Sequence, residues 1–196
     1  MATIERRLQI PEGYNAGSNP RVASFAAQLD DQTSRLRKSV EDLETRHLEW
    51  QPHPGVNTVG MLLAHLAVVD VWWTSLAPSE TPDSSWEPAM REALGVGSDD
   101  DGIPLAPDGT HPASLRGKPV SFYLDLLSRA RSATHQALRE WRDADLATTF
   151  RLRDRVITRE WVAYHVLEHF AGHFGQVLLL KHLMRDAGLL PAEERK

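Results

Sequence analysis

The sequence predicts an all-α protein: a four-helix bundle with a long loop excursion between its second and third helices. Four long segments are predicted to be helices: apolar residues recur at intervals of three, four and seven over the first, the second is apolar almost all round, the third has one apolar face, and the fourth has clear start and end signals. Most connections between these segments are longer than tight turns, which favours an up-down bundle with one long excursion. At 196 residues, the chain is long enough for one domain with a substantial core and short for two.

The four helices have recognisable starts and one clear end. They are predicted at about residues 20–44, 58–76, 121–141 and 158–186. A capping residue precedes or begins each of them, in chain order Asn19, Asn57, Ser121 and Thr158. Gly188 is well placed to end the last helix. The stretch 143–157 lacks a helical period and is predicted to be extended.

The remaining segments are interpreted from their prolines and glycines. Residues 1–17 carry no sustained period and are predicted to form an N-terminal arm on a single bundle domain, 18–190. Residues 191–196 are taken as a C-terminal tail. The segment 77–119 is predicted to be a long loop, interpreted as a partial lid, with one short helix at 87–94.

Composition excludes several classes of function. Lys and Arg number 22 and Asp and Glu 27, for a net charge of −5 without a basic stripe, so no nucleic-acid partner is expected. The chain has no cysteine, so any thiol chemistry requires sulfur from another molecule. The polar start and the lack of a run of about 20 apolar residues predict a cytoplasmic protein without a membrane partner.

Histidines on two predicted helices are the candidate functional residues. His165, His169 and His173 follow one another at intervals of four on the last helix, so their side chains share one face. Two helical histidines at this spacing can bind one metal ion, and a third ligand from a facing helix would complete the site. His65, surrounded by aliphatic residues on the second helix, is the candidate. Spacing does not decide which pair on the last helix is used, and a metal-free polar cluster is the competing interpretation.

Several segments together resemble one known family. They are the stretch from Trp50 to Leu66, the loop end Leu115-Arg-Gly117 and the closing pattern His165-x-x-Glu-His169-x-x-x-His173-x-Gly175-Gln176. They resemble the DinB-like and YfiT-like superfamily of four-helix bundles, which are often dimeric. The resemblance implies a homodimer and a divalent metal held by His65, His169 and His173. It places His165 and Gln176 one turn on either side, as possible pocket residues.

A metal held by three neutral imidazoles keeps its full charge and open coordination positions, as in catalytic sites. Zinc is the first choice, and nickel, iron or manganese fit the same ligands. The resemblance favours transfer of a small thiol, of the bacillithiol or mycothiol type, to an electrophilic small-molecule substrate. One alternative is hydrolysis of an amide or ester, with Glu168 as a weak candidate general base. The other is a non-catalytic bundle that the metal staples together, serving as a stress-linked binding module.

Other conspicuous residues receive structural interpretations. Trp72, Trp73 and Trp161 fall on apolar helix faces and are expected in the core. His111 is expected to be exposed in a loop. Asp70 is interpreted as a solvated or interhelical charge, because it lies about 140° round the helix from His65.

Overall fold

The computed structural model describes residues 7–76, 86–97, 103 and 107–192, and this part of the chain is mostly helical. The α-helices are α1 (Pro20–Val40), α2 (Thr45–Leu48), α3 (Val59–Val71), α4 (Trp86–Leu94), α5 (Val120–Arg139) and α6 (Arg159–Asp186). A two-stranded antiparallel hairpin, β1 (Thr149–Leu152) and β2 (Arg155–Thr158), precedes α6. The long helices α1, α3, α5 and α6 pack on one another, which confirms the predicted helical bundle.

The two ends of α6 confirm their predicted signals. The hydroxyl of Thr158 accepts a hydrogen bond from the backbone N–H of Trp161, and so caps the first turn. At the other end Gly188 has φ +72°, the left-handed conformation that glycine adopts without a steric cost. The backbone N–H of Leu189 then donates to the carbonyl of Met184, which closes the helix.

Two other predicted helix caps are wrong, the first by one residue and the second by two. Thr58, and not Asn57, caps α3 by accepting a hydrogen bond from the backbone N–H of Met61. Helix α5 begins at Val120 after Pro119, so Ser121 lies inside the helix rather than at its cap. In each case neighbouring residues suit the start of a helix, and the contacts of the folded chain select one of them.

The start of α1 is capped from a distant part of the chain. Asn19 occupies the cap position, but its side chain makes no capping hydrogen bond within the helix. Instead, the carboxylate oxygens of Asp143 accept from the backbone N–H groups of Arg21 and Val22, each at 3.0 Å. Asp143 thereby ties the turn before the hairpin to the first helix.

The segment predicted to be extended is a hairpin with a helical lead-in. Residues 149–152 and 155–158 pair in antiparallel register, from Thr149 opposite Thr158 to Leu152 opposite Arg155. Residues 143–147 instead form a short 3₁₀ helix. The hairpin runs directly into α6 and so fixes where the histidine-bearing helix begins.

A buried ion pair crosses the core between α3 and α5. The guanidinium of Arg131 lies 2.9 Å from a carboxylate oxygen of Asp70, and Asp70 is 2% exposed. Arg131 also donates to the hydroxyl of Thr33 on α1. Asp70 is therefore an interhelical charge, one of the two roles predicted for it.

His111 is buried, which contradicts the prediction of a solvent-exposed loop histidine. It is 6% exposed, and its Nδ1 lies 2.8 Å from the hydroxyl oxygen of Thr58 at the start of α3. Burial lowers the pKa of His111, so the neutral imidazole is favoured. The described part of the long loop thus packs on the bundle.

Helices α3 and α5 approach closely at Gly60. A Cβ atom added there would lie 2.6 Å from the Tyr123 hydroxyl oxygen and 3.1 Å from the Leu48 carbonyl oxygen. We expect Gly60→Ala to lower the free energy of unfolding by about 1–3 kcal/mol, as other overpacked cores do. Gly172→Ala is the control, because a Cβ atom there has no other atom within 4 Å. This substitution should raise the free energy of unfolding by roughly 0.5–1 kcal/mol. Urea denaturation measures both, and equal effects would contradict the predicted steric conflict.

Among the described residues, every helix is too short or too polar to cross a lipid bilayer.

Candidate metal centre

Three histidine side chains from two helices meet at one point. The Nε2 atom of His169 lies 3.1 Å from that of His65 and 3.1 Å from that of His173. One nitrogen from each ring falls within 4.8 Å of the others, and this group could hold a metal ion. All three residues are half-buried, so the group lies at the flank of the bundle rather than in its centre.

The helices position these rings by their spacing and direction. His169 and His173 are one turn apart on α6, and their ring centroids are 4.4 Å apart. His65 of α3 contacts both rings. Trp73, which follows α3 in the chain, contacts His165, which precedes His169 on α6. Helix α3 therefore runs antiparallel to α6, and His65 lies at the same height along the bundle as His169 and His173.

The separations fit ligation of a single ion. Two zinc–nitrogen bonds of about 2.0–2.1 Å at a tetrahedral angle place the nitrogens about 3.3–3.4 Å apart. The observed 3.1 Å is close to this value. Hydrogen bonds alone explain the contacts poorly, because an imidazole nitrogen offers one proton or one lone pair in the ring plane, and His169 Nε2 faces two neighbours.

Gln176 sets the orientation of one ring. Its side-chain oxygen lies 2.9 Å from Nδ1 of His173. With Nδ1 donating to this oxygen, the neutral ring carries its lone pair on Nε2, which faces the other two histidines. Gln176, predicted as a possible pocket residue, thus supports His173 directly.

The electrostatic surroundings keep the central ring neutral. Burial, and then the nearby rings of His173, His65 and His165, lower the pKa of His169 to about 3. Metal ligation requires the unprotonated imidazole. At neutral pH His169 therefore offers its lone pair without first losing a proton.

His165 and Glu168 lie beside the three-histidine group rather than in it. The His165 ring stacks on Trp161, with centroids 4.6 Å apart and planes 14° apart. Its Nδ1 is 3.3 Å from a carboxylate oxygen of Glu168, whose side chain is 55% exposed. This contact with His165 gives Glu168 a structural role, which is the alternative to the predicted catalytic role.

Tryptophans near the histidines are more exposed than the sequence predicts. Trp161 is 37% exposed, so its interpretation as a core residue is wrong. Trp72 and Trp73 are half-buried and lie in a π-helical turn, Trp72–Leu76, that continues α3. Apolar periodicity places such residues on one face of a helix, but it does not show that this face ends beside a partly open site.

Part of the segment predicted to be a lid falls outside the described residues. Residues 77–85, 98–102 and 104–106 of the predicted loop lie outside the described residues. The short helix predicted within it is present as α4, Trp86–Leu94.

Fold and site together define a helical bundle with a three-histidine group able to hold a metal ion. The chain belongs to the DinB superfamily, whose family model matches residues 28–177. This confirms the resemblance found in the sequence. A search of curated proteins gives no match.

Two solved structures are similar in fold. A DinB-like protein from Bacillus cereus ATCC 10987 has 20% sequence identity and a TM-score of 0.56, covering 87% of this chain and 95% of its own. A conserved protein from Enterococcus faecalis has 16% identity and a TM-score of 0.63, covering 85% of this chain and 98% of its own. At these identities the similarity establishes the fold.

Proposed function

We propose that this protein is a metal-dependent transferase that joins a small thiol to an electrophilic substrate. His65, His169 and His173 hold the divalent ion, with zinc as the first choice. The observation that carries the proposal is the meeting of their three Nε2 atoms at a half-buried point on the flank of the bundle. Three protein ligands leave a further position for an exchangeable ligand, as catalytic zinc sites do.

The chain's own residues provide binding and orientation. Gln176 orients His173, and the lowered pKa of His169 keeps that ring ready to bind. A bound divalent ion would supply positive charge that favours ionisation of a coordinated thiol. In the transfer, the thiol proton passes to water, the sulfur forms a carbon–sulfur bond, and the leaving group departs with the electron pair of the broken bond.

The placement of carboxylates favours thiol transfer over hydrolysis. A hydrolase of this type needs a general base within hydrogen-bond reach of the attacking water. Glu168 is turned to His165, and Asp70 is buried against Arg131. Among the described residues, the group able to hold the ion consists of histidines alone. The chain has no cysteine, so the sulfur comes from a separate thiol such as bacillithiol or mycothiol.

Partial exposure favours a reactive role over a purely structural one. A metal that only staples α3 to α6 would be enclosed and fully ligated by protein. Each of the three histidines is instead half-buried. Their exposed edges would let a small molecule reach an ion held between them.

Two measurements test the proposal in sequence. The first is elemental analysis of the protein purified without chelator or affinity metal, beside His169→Ala prepared in the same way. We expect about one metal ion per wild-type chain and loss of the metal in the variant. The second adds bacillithiol or mycothiol and the electrophile monochlorobimane to the metal-loaded protein. Thioether formation above the uncatalysed rate, absent after chelation and restored by zinc, is the expected result.

Other outcomes contradict the proposal in different ways. Absence of metal from both proteins, even after addition of zinc or nickel, would make the histidines a polar cluster. Metal-dependent cleavage of an ester or amide without thioether formation would establish the hydrolase. Stoichiometric metal with neither activity would leave the metal as a structural staple.

A further inference from the structure

Four aromatic rings beside the three-histidine group contact one another and leave part of their surface exposed. We call this surface, made of Trp72, Trp73, Trp161 and the ring of His165, the aromatic shelf. Trp73 lies edge-on to Trp72 at 4.6 Å, to Trp161 at 5.2 Å and to His165 at 5.1 Å between centroids. The rings of Trp161 and His165 stack in parallel at 4.6 Å.

The shelf adjoins the candidate metal centre directly. The ring centroid of His165 is 5.8 Å from that of His169, whose Nε2 is the central nitrogen of the group. Trp161, His165, His169 and His173 follow one another every four residues along α6, so they share a face. A ligand bound at the centre and extending towards the start of α6 therefore passes over the shelf.

The shelf retains exposed apolar area that the fold does not bury. Trp161 is 37% exposed, and Trp72, Trp73 and His165 are half-buried. A groove of about 470 Å³ continues past Trp161; its other walls are Arg155, Val156, Ile157 and Thr158. Val156 in this groove is 63% exposed. Contiguous exposed apolar surface of this kind marks a binding site more often than scattered exposure does.

We infer that the shelf binds a planar aromatic group of the substrate while another part of that substrate lies at the metal. This inference rests on the proposed function and specifies its substrate class. Aromatic rings prefer stacked and edge-to-face contacts with other rings, and indoles provide the largest such surface. The exposed parts of Trp73, Trp161 and His165, whose ring planes are steeply inclined to one another, would offer both kinds of contact to an incoming ring.

Two metal-binding probes that differ in one group test the inference without measuring activity. Acetohydroxamate and 2-naphthohydroxamate have the same chelating group, and only the second carries an aromatic system that could contact the shelf. Their dissociation constants are measured by titration calorimetry on zinc-loaded wild type, Trp161→Leu and Tyr164→Leu. Tyr164 is the matched control, because it is an exposed aromatic residue of α6 that lines cavities on another side of the helix.

We expect wild type to bind 2-naphthohydroxamate at least ~10-fold more tightly than acetohydroxamate, by analogy with the contribution of aromatic pairs and buried rings. In Trp161→Leu this preference should fall to less than ~3-fold, with acetohydroxamate binding unchanged, because leucine keeps apolar bulk but removes the stacking surface. Tyr164→Leu should retain the wild-type preference.

Each contrary result has a distinct meaning. Equal binding of the two probes by wild type, or a preference that survives in Trp161→Leu, would overturn the inference and leave the metal proposal intact. Failure of the wild-type protein to take up zinc would overturn both. A preference lost equally in Tyr164→Leu would place the aromatic site elsewhere on α6 and so contradict the shelf.

Discussion

Replacement of His169 by alanine is expected to lower the affinity for zinc by more than 100-fold. Loss of a residue that only orients a ligand typically costs roughly 10–100-fold, and loss of a ligand costs more. His169 is central, because its Nε2 lies 3.1 Å from the nitrogens of both other histidines. Competition titration against a chromophoric chelator measures the affinity. His65→Ala and His173→Ala should weaken binding to a similar extent.

Variants of two residues next to the three histidines distinguish residues that bind the ion from residues that only lie near it. Gln176→Ala removes the hydrogen bond that orients His173 and should weaken zinc binding by roughly 10–100-fold. His165→Ala, whose ring contacts Trp161 and Glu168, should change the affinity much less. A loss in His165→Ala equal to that in His169→Ala would show that the ion uses a different pair of histidines.

Removal of Asp70 alone is expected to destabilise the fold by about 3–5 kcal/mol, the usual cost of breaking a buried ion pair. Asp70→Leu leaves the guanidinium of Arg131 in the core, with Asp30 at 4.0 Å as its remaining ion-pair partner among the described residues. Urea denaturation of the metal-free protein measures the change. Asp125→Asn is the control, because it breaks an exposed pair on α5 and should cost about 0.3–0.5 kcal/mol.

The double variant Asp70→Leu/Arg131→Met should recover most of the lost stability. Its free energy of unfolding is expected within about 1 kcal/mol of the wild-type value, because a well-packed apolar pair often replaces a buried ion pair without loss of stability. Burial raises the pKa of Asp70 to about 6, although Arg131 acts to lower it. Desolvation therefore opposes the attraction, and for this reason we expect the pair to add little net stability. A double variant as unstable as Asp70→Leu would show instead that the attraction is strongly stabilising.

Local signals in the sequence predicted the helices and the shared face of the histidines. A period of three to four apolar residues and a cap such as Thr158 act over one or two turns, so they can be read without knowledge of the fold. The four-residue interval of His165, His169 and His173 likewise sets their common direction. Which of them meets His65 depends on how α3 is placed along α6, and only the family resemblance supplied that choice.

Contacts between distant segments account for the wrong predictions. Asp143 caps α1 by accepting from the backbone N–H of Arg21, 122 positions earlier, so Asn19 predicted where the helix starts but not which side chain caps it. His111 is buried because it meets Thr58 across 53 positions. The residues around Trp161 in the sequence predict a core position, yet the packing of the folded chain leaves its side chain partly exposed. Burial and capping of this kind are set by tertiary packing, which local patterns do not encode.

The two helices that carry the histidines are far apart along the chain: His65 and His169 are separated by 104 positions. An ion held between them would close that whole loop, and it would bind the folded chain in preference to the unfolded one. At a free metal concentration about 1,000 times the dissociation constant, such binding adds about 4.1 kcal/mol to stability. Metal starvation would then shorten the lifetime of the protein in a cell, because chains without the ion would unfold and be degraded more often.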